Sequence, residues 1–174
     1  MAKFVDLNLQ NELLVKLEFD AGFSKVQETR VVELSSKADF KKISSDGVCV
    51  EGKDALLLRE ACRNRKVSFI NPVFAARFER DDGLIREVIL REKVFEIPVC
   101  SLLHAKHVFR AKQLAQLREF LRRCIKFNAG FVFTSRAKER EDVKSPREII
   151  AIAHLMGLSR EQAARALSFN GEEE

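Results

Sequence analysis

The sequence predicts an α/β domain in which short strands alternate with helices around a parallel sheet. Brief apolar runs rich in β-branched and aromatic residues recur along the chain, each bounded by turn or charged residues. Between them lie segments whose apolar residues repeat at helical spacing. Such alternation implies parallel strands joined by right-handed crossovers. With 174 residues, 46% of them hydrophobic, the chain has the size and apolar content of one domain with a substantial core. Residues 1–170 are assigned to that domain and 171–174, Gly-Glu-Glu-Glu, to an acidic tail.

Strands are expected at 3–7, 25–34, 47–50, 67–70, 94–99 and 130–134. The helices between them are expected near 10–21, 37–44, 53–64, 83–91 and 107–127, and two more, 146–156 and 160–167, close the chain. The closing pair is signed most clearly. In Ser145-Pro146-Arg147-Glu148 a capping serine precedes a proline at the first helical position, with a glutamate three residues on. Ser159-Arg160-Glu161-Gln162 repeats the box, and Gly157 supplies the preceding stop. A complete eightfold βα barrel takes about 250 residues and seldom fewer than about 200. Any barrel here would therefore have few-residue helices or missing units, and an open parallel sheet is the other arrangement that the βα repeats allow. In a barrel or an open sheet, functional groups gather where strands run into the following loops. That rule selects residues 6–8, 71–80, 101–110 and 134–147, three of them basic segments.

Several function classes are disfavoured. No stretch approaches the roughly 18 consecutive apolar residues of a membrane span. The start, Met1-Ala2-Lys3-Phe4-Val5-Asp6, lacks a signal peptide's apolar stretch, so a cytoplasmic protein is expected. Cys49, Cys62, Cys100 and Cys124 show no Cys-x-x-Cys spacing and read as reduced core thiols, Cys49 and Cys100 within strand-like runs. His104 and His107 have no obvious acidic or cysteine companion at ligand spacing, and His154 reads as packed in an apolar helix. No catalytic residue, metal ligand or cofactor is expected.

Charge is distributed unevenly. Residues 101–147 hold 12 Lys and Arg against four acids, whereas the rest of the chain holds 19 against 22. This fits an anionic partner for part of the surface, or a solvated helix face. On the 107–127 helix, Leu114, Leu117, Leu121, Cys124 and Ile125 share one face, and Arg118, Arg122 and Lys126 form a basic stripe on another. Arg110 falls one turn before the core residues, where its guanidinium fork suits a phosphate, or pairs with an acid. Arg147 stands at the second position of a capped helix, beside free backbone N–H groups, where a cation gains by recruiting an anion. The loop Thr134-Ser135-Arg136-Ala137-Lys138-Glu139-Arg140 is polar and basic, and without a glycine-rich cradle it is not a nucleotide P-loop. Trp and Tyr are absent, so recognition would rest on backbone phosphates and shape.

At these residues the chain resembles the TIM-barrel-like protein subunit of archaeal and eukaryotic ribonuclease P, called protein component three in archaea. The resemblance runs through Thr134-Ser135-Arg136-Ala137, Ser145-Pro146-Arg147, Met156-Gly157-Leu158-Ser159 and Ala166-Leu167-Ser168. Upstream it includes Ile70-Asn71-Pro72, Asp81-Asp82-Gly83-Leu84 and the segment from Leu103 to Arg110, in all roughly 100 residues. The chain departs from the family at Lys144, where an arginine is common, and at Arg136, where a small residue is common. After Phe169-Asn170 the chain ends in Gly171-Glu172-Glu173-Glu174, so the family's last strand is expected to be missing here. The resemblance implies an RNA-binding subunit of an assembly in which a catalytic RNA removes the 5′ leader from precursor tRNA. Its partners would be the ribonuclease P RNA, other protein subunits and, indirectly, precursor tRNA. By motif position Arg110, Lys144 and Arg147 are the foremost RNA contacts, with Arg136 and Lys138 behind them and Arg118 and Arg122 on the helix stripe. The fold also resembles metal-dependent phosphoesterases whose first strand carries Asp-x-His-x-His. Here Asp6-Leu7-Asn8-Leu9-Gln10 lacks both histidines, which weakens that alternative.

Overall fold

A computed structural model of the chain describes residues 4–7, 14–73 and 75–168. It has the α/β class and parallel strands that the sequence predicts. In chain order the elements are β1 (Val5–Asp6), α1 (Val15–Ala21), β2 (Lys25–Val26), β3 (Val31–Leu34), β4 (Val48–Gly52) and α2 (Ala55–Cys62). They continue with β5 (Val67–Asn71), α3 (Asp82–Leu90), β6 (Val94–Pro98), α4 (Val99–His104) and α5 (His107–Phe127). β7 (Phe131–Thr134), α6 (Pro146–Leu155) and α7 (Arg160–Leu167) complete the series. The chain divides into two compact units. One takes residues up to 29, 98–115 and from 132 onward; the other takes 30–97 and 116–131.

The second unit is built on parallel strands in the order β3-β4-β5-β6. Val32 pairs with Val50 and Val50 with Ile70, so buried β-branched side chains stack across neighbouring strands. Beyond β6, the Phe95 N–H donates to the Gly130 carbonyl at 3.0 Å. One face of the sheet takes up Phe95, against which Phe120 of α5 packs edge-on at 4.9 Å between ring centroids. Phe78 meets the same ring at 5.4 Å, and Leu58, Leu84, Ile85, Leu117 and Leu121 complete a fully buried core. Asp81 caps α3 through the Leu84 N–H at 2.8 Å and holds Arg59 in an ion pair. Helix α5 stops where Asn128 takes a left-handed conformation, φ 57°, which asparagine tolerates better than most residues.

The first unit contains the two-residue parallel pair β1–β2, most of β7, α4, and the helices α6 and α7. Leu14 and Ala137 anchor a small apolar cluster with Val15, Leu17, Val26 and Val143. Both capping boxes form: the Ser145 N–H donates to Glu148 at 2.8 Å and the Ser159 N–H to Gln162 at 2.9 Å. Gly157, at φ 88°, ends α6 as expected.

Three stretches differ from the sequence reading. The strand expected over 25–34 is two short strands interrupted at 27–30, where the Thr29 hydroxyl turns to the Leu7 carbonyl. Residues 37–42 form a 3-10 turn instead of an α-helix, with the Asp39 carboxylate taking the N–H groups of Ser35 and Ser36. The run at 94–99 leaves the sheet at Pro98, and Val99 opens α4, so Cys100 lies on a helix. An apolar run of this length does not tell strand from buried helix by periodicity.

Candidate nucleic-acid interface

The basic residues singled out by sequence divide between the units. Arg110, Arg136, Lys138, Lys144 and Arg147 belong to the first, Arg118 and Arg122 to the second. In the first unit, the end of β7 and the loop after it are built around Ser135, which is 1% exposed. Its N–H donates to the Asp6 carboxylate at 3.1 Å, its hydroxyl donates to the same group, and the Ala137 N–H donates to that hydroxyl at 3.2 Å. Between the buried Ser135 and Ala137 stands Arg136, half-buried, whose φ of 45° is unusual for a side chain of that bulk. Lys138 follows, exposed.

The loop is fixed to α4 by a second carboxylate. Asp142, 4% exposed, accepts the backbone N–H groups of Lys138 at 3.1 Å and Glu139 at 3.2 Å through one oxygen, and meets His104 Nε2 at 2.6 Å through the other. Burial opposes ionisation of Asp142, yet the two N–H groups and His104 hold it below the ordinary carboxylate value. Cys100, one turn before His104, places its Sγ 3.9 Å from both ring nitrogens. Burial, then the Asp142 charge, pushes the Cys100 thiol up to about 11. The absence of companions that the sequence suggested for His104 is therefore corrected. One companion stood four residues upstream and was legible once 99–104 is taken as a helix; Asp142, 38 residues away, was not.

Arg110 is paired to no acid among the described residues. Its Nε donates to the Ala105 carbonyl at 2.8 Å and Nη2 to the Leu103 carbonyl at 2.6 Å. These carbonyls end α4, where a cation is favoured; the other guanidinium N–H groups stay available on an exposed side chain. Lys144 turns its ammonium to the Glu141 and Val143 carbonyls. Arg147, exposed at the second position of α6, makes no hydrogen bond or ion pair among the described residues. Hydrogen bonds thus tie Arg110 to the carbonyls on either side of His104, and His104 through Asp142 to the backbone of Lys138, with Lys144 two residues beyond Asp142. Such a surface presents guanidinium and ammonium groups on a fixed backbone, suited to phosphate oxygens.

On α5 in the second unit, Arg118, Arg122 and Lys126 are all exposed, and Arg122 also pairs with Glu119 at 3.1 Å. Ile125, expected on the apolar face, is 42% exposed, whereas Phe120 is buried in its stead. Asn8 and Gln10, and the expected tail at 171–174, lie outside the described residues. Among the described residues no helix is long and apolar enough to cross a membrane.

Comparison with known proteins agrees with the sequence resemblance. The model of the family described as RNase P subunit p30 matches residues 29–173. Ribonuclease P protein component 3 of Methanothermobacter thermautotrophicus is 29% identical over 133 residues, covering 74% of this chain and 53% of its own. The protein of that name from Methanosarcina acetivorans is 28% identical over 167 residues, covering 87% of this chain and 66% of its own. The chain thus spans between about half and two thirds of these relatives' length. Among solved structures, a chain of a cryo-EM structure of archaeal Ribonuclease P with mature tRNA matches with a TM-score of 0.68. It is 19% identical over 95% of this chain and 78% of its own, a likeness of fold.

Proposed function

The chain belongs to the RNase P subunit p30 family, and from that premise we propose that it is an RNA-binding protein subunit of ribonuclease P. In this reading the RNA subunit carries out the endonucleolytic removal of the 5′ leader from precursor tRNA. The protein binds and stabilises that RNA together with other protein subunits, in the cytoplasm. The observation that carries the reading is the hydrogen-bonded surface of the first unit, where Arg110, Arg136, Lys138, Lys144 and Arg147 occur on segments linked by the His104–Asp142 contact. The exposed stripe of Arg118 and Arg122 adds electrostatic attraction from the second unit.

Binding to the ribonuclease P RNA should weaken steeply with salt. If about six phosphates are neutralised, affinity falls roughly a thousandfold between about 50 and 200 mM salt. The double variant Arg110→Ala, Arg147→Ala should lower RNA affinity and reduce the salt slope by about two, one for each phosphate no longer neutralised. Filter binding across a salt series and reconstituted precursor-tRNA cleavage read both effects. A double variant with unchanged slope and unchanged processing removes these residues from the interface.

A further inference from the structure

We propose that Cys100, His104 and Asp142 form a binding site for a single Zn2+ ion. Each offers one ligand atom, a thiol sulfur, an imidazole nitrogen and a carboxylate oxygen, and these atoms lie within 4.8 Å of one another. Cys100 and His104 are four residues apart on α4, a spacing that puts both side chains on one helix face. Asp142 reaches them from the loop after β7 with its second oxygen already fixed by the Lys138 and Glu139 N–H groups. Hydrogen bonding that holds the unligated oxygen is how metal-binding carboxylates are oriented.

The distances fit a tetrahedral ion. With Zn–S about 2.3 Å and Zn–N about 2.0–2.1 Å, sulfur and nitrogen on one ion stand about 3.6 Å apart. Cys100 Sγ is 3.9 Å from the His104 ring nitrogens, a few tenths more. His104 Nε2 and Asp142 Oδ1 touch at 2.6 Å as a hydrogen bond, whereas ligands of one ion stand about 3.3 Å apart. The ion would replace that hydrogen bond and move the ring outward by about 0.7 Å. The His104 side chain can make that shift, being 60% exposed.

The donor set selects the metal. A thiolate with an imidazole favours a borderline-soft ion such as Zn2+ over Mg2+ or Ca2+, which take oxygen ligands. Metal entry releases the thiol proton to solvent and forms the S–Zn bond. Three protein ligands leave a fourth position at the exposed side of His104, where water completes the tetrahedron. The ion would clamp α4 to the loop carrying Lys138. This does not depend on RNA binding and is tested without it.

The experiment uses the full chain, stripped with chelator, with Co2+ as the spectroscopic probe and Zn2+ as the competitor. One equivalent of Co2+ should give the visible bands of a tetrahedral site with a thiolate-to-cobalt charge-transfer band, both lost on adding Zn2+. Cys100→Ser should abolish the charge-transfer band. His104→Ala alters a largely exposed side chain and keeps the fold. It should weaken Zn2+ binding by more than the roughly 10- to 100-fold that loss of a ligand's hydrogen-bonding partner costs. An octahedral aqueous Co2+ spectrum in the wild-type chain, a charge-transfer band surviving in Cys100→Ser, or undiminished Zn2+ affinity in His104→Ala would each overturn the site. They would leave only a His104–Asp142 hydrogen bond.

Discussion

Replacing Glu18 by glutamine should change how stability varies with pH. Glu18 sits on α1 with its side chain fully buried, and neither carboxyl oxygen has a hydrogen-bond partner among the described residues. Burial, then the neighbouring Asp6 carboxylate, pushes the group from 4.5 up to about 8; the Ser135 hydroxyl, committed to Asp6, pulls the other way only weakly. The folded chain therefore holds a proton on Glu18 through a window, from about 4.5 to about 8, in which the unfolded chain has released it. With more protons bound when folded, stability must fall as pH rises across that window. The slope approaches about 1.4 kcal/mol per pH unit, and the accumulated penalty at neutral pH is at most about 3 kcal/mol. Below the window both states are protonated and the penalty vanishes. Glu18→Gln, neutral at every pH, loses this slope. Urea unfolding of both proteins at intervals from pH 5 to pH 8 should show the variant gaining stability relative to wild type as pH rises. Two curves that stay parallel throughout would refute the assignment of a buried, protonated Glu18.

Other perturbations have equally direct readouts. Ser145→Ala removes the acceptor for the Glu148 N–H and should cost about 1 kcal/mol in chemical denaturation. The Ser145 backbone N–H, and after it the Ser145 hydroxyl, hold Glu148 below its ordinary value, so that contribution is present above about 4.5 and is lost as pH falls through the lowered folded value; the variant, which keeps the N–H, should show it reduced. Phe120→Ala empties the position where two edge-on ring contacts meet and should destabilise the chain by about 3–5 kcal/mol, measured by thermal or urea unfolding.

Much of the architecture was legible locally. Helix α5 runs over 107–127 and α7 over 160–167, as the spacing of apolar residues indicates, and α6 and α7 begin at their capping boxes. Strands at β4, β5 and β6 also lie where β-branched runs place them. Such features depend on backbone preference and hydrophobic period within a dozen residues, which the chain carries wherever it folds. The concentration of Lys and Arg in 101–147 is of the same kind, a property of composition.

Juxtaposition was decided only by tertiary structure. Asp6 meets Ser135 across 129 positions and His104 meets Asp142 across 38, and no local propensity encodes either encounter. The burial of Glu18 beside Asp6 is also tertiary: Val15 and Leu17 of α1 and Val26 of β2 pack against Ala137 in the loop that follows β7. Cys100 likewise changes from a strand thiol to a helical one because the chain turns out of the sheet at Pro98. The physical reason is common to these cases. A window of sequence fixes which side chains an element exposes along its own axis, whereas the partner each side chain meets depends on how separate elements pack, to which residues throughout the chain contribute.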